Sequence, residues 1–144
     1  MTVDFKLDGL NELITALKHL PEELVQDAEQ IVSDATYAAG DEVKTIYQRF
    51  ADETGGSMHD LISGVVVTVD RQPRRVVGHV KSTSGFAWMF EHGTKIRKTR
   101  KGWNRGQIKP LHAVIPTCMR HRRVMYARLA DMLRRAGLLV SEAA

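Results

Sequence analysis

Residues 21–50 read PEELVQDAEQIVSDATYAAGDEVKTIYQRF, and their spacing decides the fold. Leu24, Ala28, Ile31, Ala35, Ala39, Val43, Ile46 and Phe50 recur at steps of three and four, the period of an amphipathic helix rather than the alternation of a strand. The spacing predicts one long helix from about Pro21 to Phe50. Pro21 suits a first helical turn, where its missing N–H loses no bond, and Glu22 and Glu23 fall near the positive end of the helix dipole. The other face carries Asp27, Glu29, Asp34, Asp41 and Glu42. For any one of these acids, a solvated helix face is the first expectation.

Upstream, Leu10, Leu13, Ile14, Leu17 and Leu20 keep the same period. They predict a shorter helix with Asp8 as its N-cap and Pro21 as its end. Downstream, the run Thr-Gly-Gly-Ser at Thr54 to Ser57 breaks the pattern. Leu61 to Val69, with Ile62, Val65, Val66 and Val67, reads as a strand, Asp70 to Arg74 as a turn, and Arg75 to Ser82 as a second strand. Phe86 to Phe90 is either a short strand or a helical turn; if extended, Phe86, Trp88 and Phe90 share one face, suited to core or subunit contact. His112 to Ile115 reads as a last short strand before Pro116. From Thr117 to Ala136, Met125, Leu129, Met132, Leu133 and Ala136 lie on one helical face, with Gly137 as the stop. Arg120 to Arg123 load the early turns of that helix with cations, against its dipole, which calls for a countercharge or a partner.

The expected architecture is α+β: N-terminal helices including one long amphipathic helix, a small, mainly antiparallel β-sheet and a C-terminal helix. At 144 residues the chain suits one domain spanning 1–144. Hydrophobic residues make up 43% and charged residues 26%, a globular and not a disordered composition. The single cysteine, Cys118, excludes an intramolecular disulfide and fits synthesis in a reducing cytoplasm. The opening MTVDFKLDGL has acids where a signal peptide needs cations, and no run of about 18 apolar residues occurs, so neither secretion nor a membrane partner is expected.

Charge is polarised along the chain. Residues 1–60 hold 13 acids and 4 Lys/Arg, a balance of −9, whereas residues 61–144 hold 4 acids and 17 Lys/Arg, a balance of +13. Such asymmetry points to nucleic acid or to a partner of opposite sign, and that partner can be a second copy, because head-to-tail contacts close into rings. The densest segment runs from Thr94 to Pro110, where Lys95, Arg97, Lys98, Arg100, Lys101, Arg105 and Lys109 surround a lone Trp103 without an acid. No period persists through it, and a long, flexible basic loop is expected at about 94–110.

Catalytic chemistry finds little to work with. Glu91 beside His92 lacks a nucleophile and an orienting third group, so Glu91 is expected to make a structural hydrogen bond or ion pair, with Gly93 supplying a backbone conformation that a side chain would hinder. His112, Cys118 and His121 match no strong metal spacing, and Cys118 reads as a small buried hydrophobe. The basic half offers only Asp70, Glu91, Asp131 and Glu142 for a metal-dependent nuclease. No enzyme activity, cofactor or metal is therefore expected.

Taken in order, these residues resemble the family of siphophage tail-component and neck proteins, often called tail-completion or head-tail joining proteins. The opening element is Gly9-Leu10-Asn11-Glu12-Leu13, with a leucine-rich run from Leu17 to Pro21. A long alanine-containing helix follows, then Thr54 and Gly55, with Leu61 and Ile62 leading the strand. The most telling stretch is FAWMFEHGT, Phe86 to Thr94, which matches an aromatic residue followed closely by Glu-x-Gly-Thr; PLHAVIPT, Pro110 to Thr117, is a looser match. The basic insert after Thr94 departs from the family pattern. The resemblance implies helices packed on a small antiparallel sheet. It also implies a non-enzymatic virion protein of the neck or tail, made in the host cytoplasm, which forms a homo-oligomeric ring between head-side connector proteins and the tail tube. Its implied partners are a head-completion protein and a tail terminator or tube protein.

Subunit or partner contact is expected at Trp88, Phe90, Glu91, the seven cations of the basic segment, Trp103, Arg120, Arg122 and Arg123. Three readings of the basic segment compete: a merely solvated loop, an arm that orders on a neighbouring subunit or an adjoining ring, and a lining of the lumen through which genomic DNA passes. The subunit contact is preferred over the lumen, because a channel that must release DNA gains little from tight phosphate binding. The rival from another class is a small basic DNA-binding regulator. It explains the basic half but neither the acidic helix nor the lack of a helix-turn-helix, zinc or ribbon motif.

Overall fold

A computed structural model describes residues 22–73 and 75–137. The shorter helix expected over about residues 8–20 lies outside them. The first described element is α1, Glu22–Thr54, a 33-residue helix with Glu22 and Glu23 in its first turn. It runs four residues past the expected end. Thr54 Oγ1 donates to Phe50 O at 2.8 Å, and Gly55 takes a positive φ of 65°, a left-handed conformation that closes a helix.

The buried face of α1 is Ala28, Val32, Ser33, Thr36, Ala39, Gly40, Val43, Tyr47 and Ala51. It is rotated by about one residue from the expected stripe, leaving Leu24, Ile31, Ala35 and Ile46 partly buried on its flank. Small residues explain the rotation. A side chain at Gly40 would collide with Val67, and one at Gly78 would collide with Thr36. The helix therefore lies closest to the sheet where its side chains are smallest, and Thr36 meets its own hydroxyl demand by donating to Val32 O at 2.7 Å.

The sheet is a single antiparallel hairpin, β1 Val65–Gln72 and β2 Arg75–Ser82, in register from Val65↔Ser82 to Gln72↔Arg75. The strand expected from Leu61 starts later and ends later. Leu61 and Ile62 belong to a short helix, α2 His59–Ser63, which buries Leu61, and Asp70 to Gln72, expected as turn, complete β1. The β-branched run supplies the strand: Val65, Val67 and Val69 turn toward the helix layer while Val66 and Thr68 face out.

Phe86 to Phe90 resolves as a helical turn: Ala87 to Phe90 lie in α3, Ala87–His92, and Phe86 is its N-cap. The final helix, α4 Val114–Arg135, begins three residues before its expected start and takes in Val114 and Ile115, so there is no strand over His112 to Ile115. Pro116 is compatible because the N–H it lacks belongs to the first turn, where no intrahelical partner exists. Gly137 ends the helix at φ 77°. Two clusters make the core. One joins Val43 and Tyr47 of α1 to Leu61, Val65, Val80, Val114 and Cys118; the other joins Val32 to Val76, Met125, Leu129 and Leu133. The fold is α+β, as expected.

Candidate functional site

The basic segment is an irregular two-legged arm. Thr94 N donates to Ile108 O at 2.9 Å, Arg97 N to Gly106 O at 3.0 Å and Arg105 N to Arg97 O at 2.7 Å, while Thr99 N donates to Trp103 O at 2.8 Å across the tip. An isolated bridge pairs Lys98 with Asn104. Side chains replace missing ladder bonds: Ile108 N donates to Thr94 Oγ1 at 3.0 Å, Trp103 N to Thr99 Oγ1 at 3.0 Å and Gly106 N to Asn104 Oδ1 at 2.7 Å. Pairing of this kind, one partner at a time and with glycines at the bends, leaves no sequence period to detect. All seven cations of the arm are exposed. Among the described residues none of them joins an ion pair. Trp103, near the tip, is 73% exposed.

The arm grows from a buried clamp. Glu91 is only 6% exposed and accepts from Tyr47 Oη at 2.6 Å and from Val114 N at 3.2 Å. One carboxylate thus ties α1 to α3 and satisfies a free N–H in the first turn of α4, where negative charge is also favoured by the helix dipole. Gly93 follows at φ 73°, and a Cβ there would lie 2.7 Å from Ile108 O and 2.9 Å from the Pro110 ring. Leu111 N returns to Phe90 O at 2.8 Å. The motif Glu91-His92-Gly93-Thr94 is therefore structural: Glu91 locks three elements, Gly93 lets the two legs meet, and Thr94 pairs with Ile108 in both directions. This is the structural hydrogen bonding expected of Glu91, and the backbone role expected of Gly93.

Burial, reinforced by Glu91 as acceptor, holds the Tyr47 hydroxyl far above its ordinary value. Burial and then the nearby Glu91 push the Cys118 thiol up to about 11, so it is a core residue and not a reactive thiolate. Tyr47 was missed in the sequence, where it falls between the expected core positions Ile46 and Phe50. The available signal was its place four residues after Val43 and the need of a buried phenol for a partner.

The expected contact residues divide into two groups. Glu91 is buried in the clamp, and Phe90 is partly buried, edge-on to Phe50 with ring centroids 5.7 Å apart. As α3 is helical, Phe86, Trp88 and Phe90 do not share a face. Trp88 is 44% exposed and stacks on His92 at 5.4 Å, forming one wall of an open groove of about 760 Å³ that includes Met89, Lys95, Ile108 and Pro110. Arg120 pairs with Glu42 at the surface, and Glu42 also accepts from His121 Nε2 at 2.6 Å. The hydrogen bond from Arg120, followed by that from His121, lowers the Glu42 pKa. This is the countercharge that the basic start of α4 requires. Arg122 lies over the Tyr126 ring at 5.3 Å, and Arg123 is exposed.

Among the described residues no three His, Cys, Asp or Glu side chains are grouped to hold a metal ion, and no helix is long and apolar enough to cross a membrane. Comparison with family models, with curated proteins and with solved structures finds no match to this chain.

Proposed function

We propose that this chain is a structural virion protein of a tailed phage or phage-like particle, a ring-forming neck subunit that joins head-side connector proteins to the tail tube. The observation that carries the reading is the Glu91–Thr94 clamp. The stretch most like the tail-completion family anchors the base of an exposed cationic arm, and it does so with hydrogen bonds and not with reactive groups. A rigid base under an exposed, charged and aromatic arm is what a subunit needs to reach a neighbour without rearranging its own core. The acidic helix and the basic arm give one molecule both halves of a heterologous contact, the type that generates rings when the rotation closes. Proximity of the ring to genomic DNA follows from such a position and requires no DNA-binding activity.

Negative-stain electron microscopy of the concentrated protein at low salt tests this. Closed rings of uniform diameter are expected. Discrete small particles that are recruited onto added duplex DNA would favour the regulator instead.

A further inference from the structure

The outward face of α1 carries Glu23, Asp27, Asp34, Asp41 and Asp52 at successive steps of 4, 7, 7 and 11 residues, all multiples close to whole helical turns. These positions lie opposite the buried face of Val32, Thr36, Val43 and Tyr47. Asp34 is held by Arg128 at 3.4 Å; Glu23, Asp27, Asp41 and Asp52 are exposed. Among the described residues none of those four is in an ion pair. Tyr37, 53% exposed, flanks the stripe midway. The stripe is about 44 Å long at the rise of an α-helix, and one leg of the arm, at roughly 3.3 Å per residue over eight residues, reaches about 26 Å.

We infer that the arm of one copy, Lys95 to Lys109, docks on the acidic α1 stripe of the next copy, with Trp103 seated against the region of Tyr37. This rests on the ring reading above and names the contact that builds it. Two observations support it independently. Among the described residues the arm's seven cations and the stripe's four acids join no ion pair, so each face lowers its self-repulsion by meeting the other. Each also presents an exposed aromatic ring, unusual on a solvated charged face, and Tyr and Trp are the side chains enriched at interface centres. Nucleic acid would neutralise the arm but leave the stripe unmatched, and the stripe would repel phosphate.

The test places the photoreactive residue p-benzoylphenylalanine at position 103 and maps its cross-links in the assembled protein. Two charge-reversed variants accompany it: an arm variant (Arg97→Glu, Arg100→Glu, Lys101→Glu) and a stripe variant (Asp27→Lys, Asp41→Lys, Asp52→Lys). All six positions are exposed, and unchanged circular dichroism checks the fold. The expected cross-link joins residue 103 to a peptide within 22–54 of another copy. Each variant alone is expected to associate on the order of ten- to a hundredfold more weakly, and a mixture of the two, with a reversed arm facing a reversed stripe, to recover assembly. Rings that form with cross-links elsewhere, or that are indifferent to both variants, overturn this contact and leave the ring reading standing. A folded wild-type protein that stays monomeric and takes up duplex DNA through the arm overturns both.

Discussion

Glu91 brings two acceptor oxygens into the interior, and each has its own donor, Tyr47 Oη at 2.6 Å and Val114 N at 3.2 Å. Removing either donor leaves a buried oxygen without a partner, which costs more than the bond itself contributed. Tyr47→Phe is therefore expected to destabilise the fold by about 1–3 kcal/mol in urea unfolding. In a double-mutant cycle with Glu91→Ala, the combined loss should fall short of the sum, because both changes break the same bond. Additivity would mean that the clamp is not coupled. Glu42 makes a prediction of opposite location, at the surface. Its pKa is lowered from 4.5 chiefly by the hydrogen bond from Arg120, so its contribution is present above that value and disappears as pH falls through the lower folded value. With the Glu42 side chain 38% exposed, solvent limits that contribution to about 0.5–1 kcal/mol. Glu42→Gln should lower the melting temperature at pH 7 by roughly 1–4 °C, and the difference from wild type should shrink toward zero as pH falls below 4.5 and through the lower folded value. A difference that persists unchanged into acid would assign the effect to something other than this pair.

At the scale of elements, close approach of α1 to the hairpin depends on two positions without side chains. Gly78→Ala would drive a methyl into Thr36 across the layer, and a loss of about 1–3 kcal/mol is expected from overpacking. Chemical denaturation measures it directly, and a neutral outcome would show that the hairpin can move off the helix. These same small residues explain what was legible in the sequence. The long helix, the hairpin's second strand and the final helix with its Gly137 stop were all readable from periodicity and punctuation. The exact buried face of α1 was not, because Ser33, Thr36 and Gly40 carry no hydrophobic signal, although they set the packing distance. Leu61 and Ile62 looked like the start of a strand because two adjacent apolar residues carry no period. The strand from His112 failed for a different reason: the Glu91 carboxylate that satisfies Val114 N comes from 23 residues upstream, a tertiary cap that local sequence does not announce. In the candidate site, the cations and Trp103 were legible as composition. The clamp beneath them was not, since its partners Tyr47, Glu91 and Val114 meet only in the folded chain.

At the scale of the whole molecule, an acidic helix and a basic arm give the chain two faces of opposite charge, and among the described residues no ion pair joins them. Assembly driven by such faces is electrostatic, so it weakens as salt screens exposed charges over about 10 Å at 0.1 M. The mass of the purified protein by light scattering at low and moderate salt, with a labelled DNA duplex in a parallel run, decides between the proposed assembly and its rival. The proposed assembly predicts a ring-sized oligomer at low salt that shifts toward smaller species as salt rises and does not take up the duplex. A compact dimer of salt-independent mass that binds the duplex, with an affinity falling steeply as salt rises, would contradict it.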